Sequence, residues 1–337
     1  MRPVATLGLY AGALALVFGA AVGVGNAVGP VGTAGTGAAA HSSPTVAGDA
    51  HGGEPDGAAS GSTAPTSASD LAPGGLAVAE DGYALRLDSP TQVPGVPGQF
   101  TFAVTGPDGE PLTDYVREHD KDLHFIVVRR DLTGYQHLHP TRDARGTWTV
   151  PLTLAEPGPY KVFADFTPQG RDKPLALAAD LTAPGAYTPR PLPAPARTAT
   201  VDGYNVALDG ALVAETSSKL TLTVTRNGQA VTDLEPYLGA YGHLVALRDG
   251  DLAYLHVHPD GDVDDPATEP GPGITFSADV PSAATYRLFL DFQHDGAVRT
   301  AELTAAATRP GQPPAVPGPA ATPTATPPAH SDDPHGH

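Results

Sequence analysis

Six of the 13 histidines in this chain form one pattern written twice: His124, His137 and His139, then His243, His256 and His258, each reading His-x12-His-x-His-Pro. Residues two apart on a β-strand point to the same face, so His137 with His139, and His256 with His258, present two imidazoles side by side. A hairpin turning near Asp131 to Gly134 in the first set, and at Asp249-Gly250 in the second, brings His124 and His243 back opposite their pairs. Three neutral imidazoles converging on one point suit Cu(II) or Zn(II), and their borderline-soft nitrogens discriminate against Ca(II) and Mg(II). Asp165 and Asp291 hold equivalent places on a later strand of each repeat, where each either ligates or orients an imidazole from behind. His294 follows Asp291 by three residues, but the first repeat has Pro168 there, so any contribution from His294 belongs to one repeat.

The same histidines also fit a structural role. His124 shares the parity of Ile126 and Val128, and His243 that of Val245 and Leu247, the pattern of a core-edge imidazole hydrogen-bonded to backbone. Duplication copies structural residues as faithfully as ligands, so two readings stand. One is a transition-metal binding protein for sequestration, delivery or sensing; the other is a structural or adhesive pair of domains with internally satisfied histidines and no metal. Catalysis is not expected, because no second titratable group stands where a general base belongs. Asp260-Gly261-Asp262 begins like a calcium loop, yet Gly271 falls where the twelfth-position Glu is needed. The chain has no Cys, which excludes disulfides, thiolate metal sites and Cys nucleophiles. It also has no Gly-x-Ser-x-Gly elbow, Walker loop or dinucleotide fingerprint.

The elements that must position these side chains come from an internal repeat. Asp81-Gly82-Tyr83 recurs as Asp202-Gly203-Tyr204, Leu112-Thr113-Asp114 as Val231-Thr232-Asp233, and Tyr160 to Phe166 as Tyr286 to Phe292, in the same order. Within each copy, short alternating runs such as Thr101 to Val104 and Leu220 to Val224 are strand-like, and none carries a sustained helical period. About seven strands per copy predict an all-β chain with two tandem immunoglobulin-like β-sandwich modules. Tyr160 and Tyr286 fit the tyrosine found at strand entry in such sandwiches. The modules are placed at 77–183 and 200–305, joined by a Pro-rich linker at 184–199.

What surrounds the modules points outside the cytoplasm. Val4 to Val28 is uncharged and long enough to cross a bilayer, which predicts a single anchor at 1–28 with the modules outside the cell membrane. Secretion after signal cleavage is the alternative, since Gly25-Asn26-Ala27 offers small residues near a cleavage point. Residues 29–76 are rich in Gly, Ala, Ser and Pro and are expected as a disordered stalk, and 306–337 as a disordered tail ending in His330, His335 and His337. A formal net charge of -18 repels nucleic acid, so the expected partners are a metal ion and, through the N-terminus, the membrane; no protein partner is indicated.

Gly242 to Arg248, followed by Tyr254-Leu255-His256-Val257-His258-Pro259 and Tyr286 to Gln293, resembles a group of uncharacterised actinobacterial exported proteins that is distantly similar to YtkA-like domains. That resemblance implies an N-terminal hydrophobic segment, a β-sandwich region and an association with metal handling, copper above all. Met1 is the sole methionine, which separates the chain from Met-rich carriers that hold Cu(I) through thioethers.

Overall fold

The structure, a computed structural model, describes residues 73–255 and 257–312. The expected anchor, most of the stalk, His256 and the tail beyond 312 lie outside the described residues. Both sandwiches fall within one compact unit. The first is built from β1 (Ala79–Glu80), β2 (Tyr83–Leu87), β3 (Gly98–Thr105), β4 (Tyr115–Val116), β5 (His124–Arg129), β6 (Gln136–Leu138), β7 (Thr141–Arg142), β8 (Thr147–Leu152), β9 (Gly158–Pro168) and β10 (Leu175–Ala183). The second contains β11 (Thr198–Val201), β12 (Tyr204–Gly210), β13 (Thr216–Arg226), β14 (Gln229–Ala230), β15 (His243–Arg248), β16 (Tyr254–Leu255), β17 (Val257–Pro259), β18 (Gly273–Val280), β19 (Thr285–His294) and β20 (Ala297–Ala306).

In the first sandwich the sheets run β1-β2-β3-β8-β7 and β10-β9-β5-β6; in the second, β11-β12-β13-β18-β17 and β16-β15-β19-β20. Strand pairing is antiparallel throughout these sheets, and the order is that of an immunoglobulin-like sandwich. Among the described residues there is no helix. Alternation does the local work: β3 turns Phe100, Phe102 and Val104 inward, where Phe102 stacks on Phe125 at 4.5 Å. Phe276, Tyr286 and Phe292 fill the second core. Both tyrosine corners form, with the hydroxyl of Tyr160 donating to the Glu156 carbonyl at 2.8 Å and that of Tyr286 to Ser282 at 2.9 Å.

Strands β5 and β15 depart from alternation because both of their faces are covered. Phe125 and Val127 enter the first core, whereas Ile126 and Val128 point the other way, into a third apolar cluster with Phe163, Ala178, Val245, Leu247, Leu252, Tyr254 and Phe289. This third cluster is a seam, where the outer face of β10-β9-β5-β6 packs on the outer face of β16-β15-β19-β20. Tyr135 lies flat on Phe289 across it, with ring centroids 4.0 Å apart.

Two connecting segments are drawn into the seam. Residues 73–76, assigned to the stalk by composition, bridge the modules: the Tyr254 amide donates to the Gly74 carbonyl, and the Gly75 amide to Ala176 on β10. Gly75 has φ +66°, and a Cβ there would lie 2.7 Å from the Phe163 ring, so only glycine fits. The Pro-rich linker is pinned as well. The Arg190 amide donates to Asp131, and Leu192 packs against the seam cluster.

Candidate metal centre

The hairpin of β5 and β6 pairs Ile126 with His137, which sets His139 opposite His124. One nitrogen from each of His124, His137 and His139 lies within 4.8 Å of the others, a group able to hold a metal ion. Their rings face one another with centroids 4.8 to 5.3 Å apart.

Hydrogen bonding fixes where the lone pairs point. His137 Nδ1 lies 2.8 Å from Asp291 Oδ2, and a carboxylate only accepts, so Nδ1 donates; in the neutral, metal-binding form of His137, Nε2 then holds the lone pair. That Nε2 sits 3.0 Å from His124 Nδ1, while His124 Nε2 lies 3.3 Å from the Glu118 carbonyl oxygen. A neutral His124 has one N–H. Given to Glu118, it leaves two lone pairs facing each other across 3.0 Å; given to His137, it turns a bare nitrogen toward a carbonyl oxygen. Nε2 of His139 is buried and has no hydrogen-bond partner among the described residues. Burial, reinforced by the neighbouring imidazoles, pushes His124 down to about 2 and His139 to about 3, so both are neutral near pH 7.

The second sandwich completes the surroundings. Asp291, buried on β19, accepts from His137 and, on its other oxygen, from the Thr300 hydroxyl at 2.5 Å. It thus stands behind an imidazole of the other module, the arrangement in which a carboxylate orients a metal-binding histidine. His243 is 6% exposed, and its Nε2 donates to the Tyr237 carbonyl at 2.7 Å. Its ring centroid is 6.1 Å from His137 and 6.2 Å from His124, and burial lowers it to about 4. Glu118 and Tyr237 are equivalent in the repeat, so both first histidines use the same carbonyl. This equivalence favours the tautomer of His124 that leaves its Nδ1 lone pair facing His137.

An exchange of tyrosines runs across the seam. Tyr254 of the second module donates to Asp165 at 3.0 Å, and Tyr135 of the first donates to Asp291 at 3.4 Å. Desolvation raises Asp165 to about 6. The two carboxylates therefore serve the opposite module: Asp291 orients His137, while Asp165 holds Tyr254.

The second histidine set is not assembled like the first. β16 ends at Leu255 and β17 pairs with β18 in the other sheet, where His258 lies opposite Ser277 and is exposed. His243 faces the first set instead, and His256 is outside the described residues. His294 is held by the Tyr204 hydroxyl at 2.7 Å and Asp233 at 3.1 Å. Sequence reasoning missed His119, whose ring is 5.0 Å from His243 and 6.1 Å from His124. It occupies a tight turn, Glu118 to Lys121, at φ +47°. Tyr135 and Tyr254 were missed too, although their identical distance from the first histidine of each repeat was visible in the sequence.

The described portions of 77–182 and 199–309, one per sandwich, coincide with the two matches to a family described as a domain of unknown function, DUF8832. No curated protein matches the chain. Among solved structures it is similar to the Escherichia coli adhesin FdeC, 12% identical over 69% of this chain and 66% of that one, with a TM-score of 0.23. The Yersinia pseudotuberculosis adhesin InvE is 13% identical over 68% of this chain and 60% of that one, TM-score 0.20. Salmonella alpha-2-macroglobulin is 15% identical over 70% and 15%, TM-score 0.23. The chain thus spans less than two thirds of each, and likeness at this level bears on no functional point. Its two family matches cover more than half of the sequence, and the chain belongs to the DUF8832 family.

Proposed function

We propose that this member of the DUF8832 family is an extracytoplasmic protein that binds a divalent transition-metal ion, Cu(II) or Zn(II), for sequestration, delivery or sensing. His124, His137 and His139 are the ligands, Asp291 orients His137, and His243 walls the site from the second module. One observation carries this reading: one ring nitrogen from each of His124, His137 and His139 lies within 4.8 Å of the others, and the buried Nε2 of His139 has no hydrogen-bond partner among the described residues. Unsatisfied buried groups are costly, and a borderline cation accepts all three nitrogens at once. The apolar run from Val4 to Val28 supports a location outside the membrane, tethered or released.

Calorimetric titration of the purified chain with Cu(II) and with Zn(II), beside His137→Ala/His139→Ala, tests the proposal. Tight binding abolished in the variant is expected, and the relative affinities choose between the metals. Equal affinity in both proteins removes these residues from the site. No binding to either leaves a structural sandwich pair.

A further inference from the structure

Beside the three-histidine group lies a small cavity of about 50 Å³ whose lining includes His119, His124 and His258, with Glu118, Asp122 and Asp165 outnumbering the one cation, Lys121. Glu118, Asp165, Tyr254 and His258 also line a wider cleft of about 650 Å³, where Glu80, Asp81, Asp172 and Asp279 outnumber Arg171 and Lys173. The cavity and the cleft therefore share a wall, and His124 belongs both to the cavity lining and to the inner group.

We propose that this cavity is a second cation position, outer to the first, in which His119 and His258 bind a partly hydrated divalent transition-metal ion entering from the acidic cleft. The proposal rests on the inner site for its place in a route but not for its ligands. His119 comes from the first module and His258 from the second, so the pair is built only where the modules meet. Both imidazoles line the same cavity. A cavity of about 50 Å³ exceeds the roughly 15 Å³ that one water requires, leaving room for an ion and part of its hydration shell. Two imidazoles bind more weakly than three convergent imidazoles, which suits a port rather than a store.

The His243 ring, 5.0 Å from His119, and the His124 ring, 6.1 Å from it, continue the path inward. An ion therefore passes from acidic rim to outer pair to inner trio by exchanging one imidazole at a time. No step requires a bare cation to cross the apolar seam.

The experiment uses the full chain in detergent with His41, His51, His330, His335 and His337 replaced by Ala, so that only the sandwich histidines count. Bound Zn(II) is measured by equilibrium dialysis and elemental analysis. Two equivalents of unequal affinity are expected. His119→Ala/His258→Ala should keep the tighter equivalent, with affinity within about threefold, and lose the weaker one. It should also slow Zn(II) uptake in stopped flow. His137→Ala/His139→Ala should lose the tighter one and keep the weaker. A single equivalent that disappears with His137→Ala/His139→Ala would overturn the outer position and leave the proposed function standing. Two equivalents retained by His119→Ala/His258→Ala would overturn it as well. No bound Zn(II) in the unsubstituted sandwiches, and no bound Cu(II) in a parallel dialysis, defeats both proposals.

Discussion

Asp291 sets the tautomer of His137 from across the seam, so its effect on a bound ion passes entirely through that imidazole. Asp291→Asn keeps the shape and removes the charge, and an amide offers either a donor or an acceptor to Nδ1. Loss of such an outer partner costs about 10- to 100-fold in metal affinity. Titration of Asp291→Asn should show that loss at unchanged stoichiometry; an affinity equal to the parent's would assign Asp291 to structure alone. Protonation gives a second expectation for the metal-free protein. His124, His139 and His243 are all lowered in the folded state, so their neutral form is favoured there. As pH falls through about 6.5 the unfolded chain takes up protons that the folded chain refuses, and stability declines until the folded values are reached. Asp165, raised to about 6, works in the opposite sense between that pH and its ordinary carboxylate range, offsetting part of the decline. His119 is lowered as well, so with four imidazoles against one carboxylate the urea midpoint without metal should be lower at pH 5 than at pH 7.5, and a midpoint equal or higher at pH 5 would contradict this balance.

The hairpin arm that carries His137 depends on the seam at the level of elements. Tyr135 stacks on Phe289, which is fully buried, and the same arm delivers His137 to Asp291 two residues later. Phe289→Ala opens a cavity beneath Tyr135 and should destabilise the fold by about 3–5 kcal/mol. It should also weaken metal binding, measurable as a rise in Kd alongside the drop in unfolding midpoint; unaltered affinity would show the arm to be held by other contacts. The strands and their order follow from alternation and repeat, and the hairpin from its turn residues. The seam was less legible. Phe125 to Val128 and Leu244 to Leu247 are continuous apolar runs, the signature of a strand covered on both faces. The parity of His124 with Ile126 and Val128 therefore marks a face against another module, which reads locally like a core edge. Local sequence also gave no sign that the second module's arm crosses to the other sheet two residues after Tyr254, separating His258 from His243. His119 escaped notice because it lies outside the repeated spacing, in a turn whose counterpart in the second module is Leu238.

Across the whole molecule, the proposed ion binding would be linked to module docking, because the proposed ligands belong to the first sandwich and Asp291, hydrogen-bonded to His137, to the second. Anything that binds only the folded, docked state stabilises it by mass action, by about 2.7 kcal/mol at a free concentration one hundred times Kd. Thermal unfolding with saturating Zn(II) or Cu(II) should therefore shift upward, and Asp291→Asn should shift less at the same metal concentration. A metal-independent midpoint in the parent protein would break the linkage.

The buried faces of the two central sheets have one more implication. Taken alone, either sandwich would leave Ile126, Val128 and Phe163, or Val245, Leu247 and Phe289, open to water as a contiguous greasy surface. Each module sets a tyrosine on an aspartate of the other, the reciprocal contact that an isologous dimer makes. Fusion of two copies in one polypeptide makes that partnership permanent at any dilution, and frees each copy to diverge into a different job.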